Sequence, residues 1–386
     1  MTTPPNDQKC IMIIAGEASG DAHGAGLVNA MRRLDGRLFF CGIGGERLRA
    51  AGVKIVVEAS DLSVVGLTEV FAKLPQLMQG ISTAKGVLKS LRPDLLILID
   101  FPDFNLHIAG AAKKLGIPVM YYISPQIWAW RQGRVKKIRQ RVDRMVVILP
   151  FEAAFYQKHG VPVSFVGHPL MDDLSMVEEN AGQSQGDPSK PVIGLLPGSR
   201  DREVQRHLPV MLEAATLLQR LEPGLQFMIS AAPSVGRDLI NPMVAAAVPQ
   251  CTVYEGNVRH IFRNSTLVVA ASGTVTLEAT LQAVPTIIMY RISATSARLG
   301  RWLIQVQHAG LINLIVGKTL LPELIQEDAT PENIAAHVLS LVRNPDRMDR
   351  MRRELLDARA LLGEPGASDR AAGIAMELLE TQRLIP

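Results

Sequence analysis

Short runs of apolar residues recur along the chain, and each run ends in a turn of small or polar residues and is followed by a helical pattern. In the first half these runs occupy residues 11–15, 38–42, 95–99, 119–123, 145–149 and 164–166. They are continuous rather than alternating, which is typical of strands that helices cover on both faces. Helical patterns lie between them, at residues 22–34, 106–115 and 151–158. The sequence therefore predicts a doubly wound parallel α/β sheet.

The same pattern starts again after a polar stretch rich in Gly, Ser and Pro. Strand-like runs follow at residues 192–196, 226–230, 252–254, 267–271 and 286–290, and the chain from about residue 331 is helical. We therefore expect two Rossmann-like domains that face a central cleft, residues 1–175 and 191–364, joined by a linker at 176–190. A C-terminal helix at about 365–386 is expected to pack back on the first domain.

Composition narrows the class of protein. Hydrophobic residues make up 47% of the 386 residues and charged residues 20%, as in globular proteins. The net charge of +4 does not by itself indicate a nucleic-acid binder. Cys10, Cys41 and Cys251 are far apart and form no metal-ligand pattern, which fits a reducing compartment. No run approaches the roughly 18 apolar residues of a membrane-spanning helix, so we expect a protein that is soluble or lies on a membrane surface.

Four glycine turns join a strand to a helix. They lie at residues 16–21, 42–47, 196–200 and 272–274. Free amides at a helix start favour an anion, and small residues let the ligand approach the backbone. The turn at 42–47 has Arg47 where a dinucleotide fingerprint needs its last glycine, so a nicotinamide site is discounted. Arg200 and Glu278, beside the two later turns, suit a diphosphate and a ribose.

Asp100 ends the apolar run 95–99, the place where α/β enzymes carry reactive groups. A carboxylate there is suited to take a proton from an acceptor hydroxyl, whereas Asp103 is better placed to cap the next helix. The two carboxylates are separated by a proline and do not form a convincing metal clamp, and no P-loop is present. The sequence thus predicts no metal and no cofactor.

Two segments are unusual for an exposed surface. Residues 64–78 carry apolar side chains at helical spacing, a pattern that suits either a core face or a bilayer and its acyl chains: Val64, Val65, Leu67, Val70, Phe71, Leu74, Leu77 and Met78. Trp128 and Trp130 precede a basic segment that begins at Arg131, a combination that suits lipid headgroups. A solvated helix face and an RNA site are the alternatives, although no RNA-binding motif is present.

Together these motifs resemble the lipid-A-disaccharide synthases of Gram-negative bacteria. The resemblance runs from about residue 11 to about residue 326, and its motifs are GEASGD at 16–21, IDFPDFN at 99–105, SPQIWAWR at 124–131, FVGH at 165–168, LPGSR at 196–200, SGTVTLE at 272–278 and LINLI at 311–315. It implies a GT-B fold and an inverting, metal-independent transfer of 2,3-diacylglucosamine from UDP-2,3-diacylglucosamine to lipid X (2,3-diacylglucosamine 1-phosphate). The products are the tetraacyl disaccharide 1-phosphate and UDP, formed on the cytoplasmic face of the inner membrane.

The resemblance also assigns residues. Asp100, Arg200 and Glu17 are expected in catalysis, and donor binding is expected at Ser199, Ser272, Gly273, Thr274, Glu278 and Asn313. The first domain takes the acceptor and faces the membrane, with residues 64–78, Trp128, Trp130 and Arg131; the second takes the UDP-sugar. Ile312 stands where many relatives have proline, which leaves the pose of Asn313 open.

Other readings of the chain are kept as alternatives. One is a different GT-B enzyme of UDP-sugars, such as a 2-epimerase, because the Ser-Gly-Thr turn is shared with it. Another is a non-catalytic module that binds a nucleotide sugar or RNA at a membrane surface. We expect no nucleic acid partner for the enzyme, and a homodimer is left open.

Overall fold

The structure, a computed structural model, describes residues 8–62, 74–172, 190–247, 251–292 and 308–381 of the chain. The chain divides into two compact units, Met1–Asp172 together with Leu362–Pro386, and Asp173–Leu361. The linker expected at 176–190 lies outside the described residues, except for Lys190. Within the described ranges, no helix is both long and apolar enough to cross a bilayer.

The first unit is built on a seven-stranded sheet whose ladders are all parallel. Its strands are β1 (Cys10–Ala15), β2 (Phe39–Gly44), β3 (Lys54–Glu58), β4 (Leu95–Ile99), β5 (Val119–Tyr122), β6 (Arg144–Val147) and β7 (Val163–Phe165). Their order across the sheet is β3-β2-β1-β4-β5-β6-β7. Every residue of β1 and β4 is buried, as expected for central strands covered on both faces.

Helices connect and cover these strands. They are α1 (Ala18–Leu34), α2 (Glu46–Ala50), α3 (Ala59–Leu62), α4 (Leu74–Leu91), α5 (Pro102–Lys114), α6 (Ile127–Trp130), α7 (Val135–Arg141), α8 (Pro150–Lys158) and the C-terminal α16 (Ala367–Thr381), with 3₁₀ turns at Gln132–Arg134 and Pro169–Asp172. Helix α16 packs on α1. The Asp172 carboxylate accepts the backbone N–H groups of Gly366, Ala367 and Ser368 at 2.8, 2.7 and 2.9 Å. These bonds satisfy amides that a helix start leaves without partners, so they hold α16 on the first unit.

The second unit repeats the architecture with six parallel strands. These are β8 (Val192–Leu196), β9 (Gln226–Ala231), β10 (Cys251–Glu255), β11 (Leu267–Ala271), β12 (Thr286–Tyr290) and β13 (Glu323–Ile325), in the order β10-β9-β8-β11-β12-β13. Its helices are α9 (Asp201–Leu221), α10 (Arg237–Ala247), α11 (Arg259–Asn264), α12 (Thr274–Leu281), α13 (Leu311–Val316), α14 (Pro331–Val342) and α15 (Pro345–Ala360), with a 3₁₀ turn at Gln326–Asp328. Thr330 and Asn344 cap α14 and α15, each before a proline in the first turn, where proline loses no hydrogen bond.

The predicted strands are all present, and the helices are longer at their starts than predicted. Strands β4, β8, β11 and β12 have the predicted bounds. Strands β3 and β13 were not predicted, because each lies at the edge of a sheet and lacks a continuous buried apolar run. The two parallel α/β sheets confirm the predicted fold class.

The two glycines Gly42 and Gly86 are predicted to respond in opposite ways to alanine. A Cβ on Gly42 would lie 1.8 Å from the carbonyl oxygen of Ile13 in the neighbouring strand, whereas a Cβ on Gly86 in α4 would meet no atom within 4 Å in the part of the chain that the structure describes. We expect Gly86→Ala to raise the free energy of unfolding by about 0.5–1 kcal/mol, because a helix interior favours alanine. Gly42→Ala should lower it by about 3 kcal/mol or more. Thermal unfolding followed by circular dichroism compares the two, and equal midpoints would contradict the described packing of β1 on β2.

Candidate functional site

Each sheet has a point at its centre where the direction of winding reverses. In the first unit the chain proceeds outward from β1 to β2 and, on the other side, from β4 to β5. Because β1 and β4 are paired with Ala15 beside Ile99, the turns that follow them leave side by side at the carboxyl ends of the strands. Such a reversal opens a crevice that α/β proteins use for ligands. The crevice brings together Glu17 and Asp100, two of the predicted catalytic residues.

The Asp100 carboxyl group is half-buried at this crevice. Burial and, second to it, the neighbouring Glu17 carboxylate raise the pKa of Asp100 to about 6, against the opposing influence of the Phe101 N–H. A carboxyl group with a pKa near neutrality is suited to accept a proton at physiological pH. Asp100 is therefore ionised above about pH 6 and able to act as a general base there.

The backbone at Asp100 has an unusual conformation. Asp100 and Phe101 are consecutive non-glycine residues with φ of 43° and 49°, and Ile123, after the next strand, has φ of 62°. Each such residue costs about 1–3 kcal/mol, and such residues concentrate at functional sites. The ring of Phe101 also fills the space beside Gly16, where a Cβ would lie 2.4 Å from Cγ of that ring. The glycine of the first turn is thus required by the packing of Phe101.

Asp21, the last residue of the first turn, binds the start of α2. Its carboxylate accepts the N–H groups of Gly45, Arg47 and Leu48 at 2.6, 2.9 and 3.3 Å. The helix start after the glycine turn at 42–47 is therefore occupied by a carboxylate of the protein itself. This agrees with discounting a dinucleotide at that turn.

Trp128 differs from the prediction that it lies at a membrane surface. It is 7% exposed, its indole N–H donates to Glu152 at 3.0 Å, and its ring packs edge-on against Phe151 at 4.8 Å. An indole combines a large apolar area with one donor, and both are satisfied inside the unit. Burial raises the pKa of Glu152 to about 8. Trp128 and Glu152 thus hold α6 in place, and sequence reasoning missed Glu152 because its partner lies 24 residues away.

The remaining acceptor-side residues are only partly described. Residues 64–73, which include Val64, Val65, Leu67, Val70 and Phe71, lie outside the described residues, as do the side chains of Leu74 and Trp130. Leu77 packs partly against the core of the first unit, and Met78 is 60% exposed. Arg131 lies 3.5 Å from Asp103, which also pairs with Arg134.

In the second unit, the reversal lies between β8 and β11, and it brings together the two predicted donor turns. The first turn, Pro197 to Arg200, enters α9. The buried His207 holds it: Nδ1 bonds the Pro197 carbonyl at 2.8 Å, and Nε2 accepts the Arg291 N–H at 3.1 Å. Since a carbonyl only accepts, Nδ1 carries the proton. His207 was missed from the sequence, because nothing local marks its contact with Arg291.

The predicted side chains at these turns have the following surroundings. The Ser199 N–H donates to Glu203 at 3.1 Å, and Arg200 lies 3.2 Å from the same carboxylate with its side chain 46% exposed. Gly273 precedes α12, and a Cβ there would meet no atom of the described residues within 4 Å. Thr274 is exposed. A helix start with open space before it suits an anion.

Ser272 and Glu278 flank the second turn. The Ser272 hydroxyl donates to the Ala309 carbonyl at 3.0 Å. Burial raises the pKa of the Glu278 carboxyl group, and the positive charge of Arg259 partly offsets this rise. The two turns thus place the start of α12, a permanent cation and a carboxylate at one end of one sheet.

Comparison with known proteins identifies the family. The lipid-A-disaccharide synthetase family model matches residues 11–377. The lipid-A-disaccharide synthase of Geobacter metallireducens is 47% identical over 99% of this chain and 100% of its own length, and that of Coxiella burnetii (strain Dugway 5J108-111) is 41% identical over 96% and 99%.

The chain belongs to the lipid-A-disaccharide synthetase family. It is therefore a glycosyltransferase of lipid A biosynthesis, as the resemblance implied. Solved structures with the same fold include a UDP-GlcNAc 2-epimerase from Neisseria meningitidis, with a TM-score of 0.65, 13% identity and coverage of 96% of this chain and 100% of that one. A calicheamicin glycosyltransferase has a TM-score of 0.61, 14% identity and coverage of 98% and 100%. These likenesses show the GT-B fold alone.

Within this family fold, Asn313 has a different environment from the one expected of a UDP contact. Its side-chain amide donates to the Leu321 carbonyl at 2.8 Å and to Glu323 at 2.6 Å, and its oxygen accepts the N–H groups of Leu320 and Leu321, both at 2.9 Å. All four hydrogen-bonding positions of the amide are thus filled by the protein. Glu323, missed from the sequence, also accepts the Ala309 N–H at 2.8 Å. Asn313 therefore supports the loop that contacts Ser272.

Asn313→Ala is predicted to act on stability. It removes four buried hydrogen bonds, and we expect it to lower the free energy of unfolding by about 2–4 kcal/mol. The matched control is Asn333→Ala, which loses a single exposed side-chain bond to the Asp328 carbonyl. Thermal unfolding of both variants is the measurement. If Asn313→Ala melts like Asn333→Ala but binds UDP more weakly, the amide contacts nucleotide instead.

Proposed function

We propose that the protein transfers 2,3-diacylglucosamine from UDP-2,3-diacylglucosamine to the primary hydroxyl of lipid X, with inversion and without a metal ion. Asp100 takes the proton of the acceptor hydroxyl as its oxygen forms a bond to the anomeric carbon. The bond from that carbon to the UDP oxygen breaks, and UDP leaves with the electron pair. The products are the tetraacyl disaccharide 1-phosphate and UDP.

The observation that carries this proposal is Asp100 itself. Its carboxyl group is half-buried at the central crevice of the first unit and has a pKa of about 6. A base of this kind deprotonates a hydroxyl as the bond forms and contributes about 10²–10⁴-fold to the rate. Glu17, next to it, favours the protonated form of Asp100 after the transfer.

The second unit supplies the donor side of the proposal. Arg200 carries a permanent positive charge at the start of α9, and Ser199 lies beside it. The turn Ser272, Gly273 and Thr274 offers backbone amides at the start of α12. Both features stabilise the negative charge that develops on the leaving diphosphate, and Glu278 is suited to accept ribose hydroxyls.

We also propose that the protein lies on the cytoplasmic face of the inner membrane. Support comes from the exposed cations Lys136, Lys137 and Arg139 on α7 and from the exposed Met78 on α4. Each cation near an anionic surface contributes about 1 kcal/mol of attraction. Both substrates carry acyl chains, so a surface enzyme meets them without extracting them into water.

Asp100→Asn is predicted to abolish turnover while the protein remains folded. We expect kcat to fall about 10²–10⁴-fold, because the amide cannot take the proton. Since the raised pKa makes the ionised carboxylate unfavourable in the folded chain, the contribution of Asp100 to stability is lost as pH rises through about 6. Asp100→Asn should therefore not lower the melting temperature at pH 7.5. The assay follows UDP and disaccharide from both lipid substrates in detergent, with a chelator present.

The matched control is Asp103→Asn. Asp103 lies on the same turn but is exposed and paired with Arg131 and Arg134, so its loss should change kcat less than about threefold. In the wild type, kcat/KM should fall as pH drops below about 6. Disaccharide formed at the wild-type rate by Asp100→Asn would contradict the proposal. UDP release without disaccharide from the wild type would favour an epimerase-like reaction instead.

A further inference from the structure

The peptide bond between Asp100 and Phe101 is held through its carbonyl oxygen. This oxygen, which belongs to Asp100, accepts hydrogen bonds from the Asn105 side-chain amide at 2.6 Å and from the Tyr121 hydroxyl. The N–H of the same peptide, which belongs to Phe101, lowers the pKa of the Asp100 carboxyl group. The two flanking residues are in the left-handed region, with φ of 43° and 49°. The peptide is thus fixed in a conformation that non-glycine residues avoid.

The two donors to the carbonyl come from different elements of the first unit. Asn105 lies in α5 and also donates to the Ile99 carbonyl at 3.1 Å, so it closes the end of β4. Tyr121 lies in β5, the neighbouring strand, and is fully buried. The hydroxyl therefore ties the end of β4 to the strand beside it through one hydrogen bond.

We propose that Tyr121 is a positioning residue for catalysis, which holds the Asp100–Phe101 peptide and, with it, the left-handed backbone that sets the direction of the Asp100 side chain. This inference rests on the proposed role of Asp100 as the base. Tyr121 donates to the backbone and is not assigned a contact with substrate. Asn105 shares the same carbonyl and supports the same peptide.

The positioning follows from the geometry of the peptide plane. The carbonyl and the N–H of one peptide point in opposite directions, so fixing the oxygen also fixes the N–H. When the Tyr121 hydroxyl is absent, the strained peptide has one bond less and relaxes toward a commoner conformation. The Asp100 carboxylate then loses its orientation, and the Phe101 N–H no longer lowers its pKa to the same extent.

The charges around Asp100 and Tyr121 define how activity is expected to depend on pH. Glu17 and burial raise the pKa of Asp100, and the Phe101 N–H lowers it. Around Tyr121 lie Asp100, Tyr156 and Arg134, and burial raises the pKa of the Tyr121 hydroxyl well above its usual value. Tyr121 therefore remains a protonated donor throughout the range of the assay. Without the Tyr121 hydrogen bond, the Phe101 N–H no longer offsets burial and Glu17, and the pKa of Asp100 rises further.

The test compares Tyr121→Phe with Tyr122→Phe in the full-length protein. Tyr122 is the adjacent residue on the opposite face of β5, is equally buried, and its hydroxyl has no hydrogen-bond partner among the described residues. The two variants thus remove the same atom from equally buried rings, and only one removal breaks a bond to Asp100. Steady-state kinetics with UDP-2,3-diacylglucosamine and lipid X are measured from pH 5 to pH 9, together with melting temperatures.

The expected result is a difference between the two variants. Tyr121→Phe should lower kcat about 10- to 100-fold with KM for the UDP donor changed less than about twofold, because a misplaced base slows the chemical step. Its acid limb of kcat/KM should move toward higher pH by about half a pH unit or more. Tyr122→Phe should keep the wild-type kcat and acid limb. The double variant Asp100→Asn with Tyr121→Phe should have a residual rate within about twofold of that of Asp100→Asn alone.

Opposite outcomes separate this inference from the proposed function. If Asp100→Asn is inactive but Tyr121→Phe matches Tyr122→Phe in kcat and acid limb, the positioning role is overturned and the proposed function stands. A further large loss when Tyr121→Phe is added to Asp100→Asn also overturns the role, because the hydroxyl then acts independently of the carboxylate. Full activity of Asp100→Asn would contradict both the positioning role of Tyr121 and the proposed function. Should Tyr121→Phe melt too low to assay, Asn105→Ser tests the same carbonyl by the same readouts.

Discussion

The central strands of both units are buried on both faces, and this constraint determines where polar chemistry can occur. Every residue of β1, β4 and β11 is buried, so these strands present no reactive group to solvent along their length. Polar side chains near the sheet centre can meet solvent only where a strand ends. The winding of each sheet reverses at its centre, which keeps those ends clear of connecting helices. Glu17 and Asp100 in one unit, and Arg200 and Thr274 in the other, follow strands of this kind.

At these strand ends, a carboxylate is either consumed by backbone amides or left accessible. Asp21 is consumed at the start of α2, Asp172 at the start of α16, and Glu323 by the loop at Ala309. Each fills amides that would otherwise be attractive to an anion. At the first-unit crevice, by contrast, the Asp100 carboxyl group is half-buried and its backbone has a positive φ. In the second unit, no atom of the described residues lies within 4 Å of a Cβ placed on Gly273, just before α12.

The parts that could be predicted from the sequence are those with a local signal. Continuous apolar runs predicted the buried strands, with β4, β8, β11 and β12 to the residue. The edge strands β3 and β13, which are only partly buried, were not predicted. The motif residues at strand ends were likewise visible. Trp128 and Asn313 were not interpretable in this way, since each depends on a partner brought close only by folding. Tyr121 and Tyr122 are equivalent in the sequence and differ only in what each hydroxyl contacts.

A raised pKa alone would not single out Asp100 as the proposed base. Burial raises the pKa of Asp100 to about 6 and that of Glu152 to about 8, so both carboxyl groups bind protons more tightly in the folded chain than in the unfolded one. Both therefore contribute stability that is present at low pH and is lost as pH rises through those values. Glu152 is 1% exposed and accepts hydrogen bonds from Trp128 and the Leu149 N–H. Its unfavourable burial therefore serves to hold α6 against the start of α8. Asp100 is half-buried at a strand end, where the proposed function places the acceptor hydroxyl. Accessibility, combined with the left-handed backbone at Asp100, is what separates the proposed base from the structural carboxyl group of Glu152.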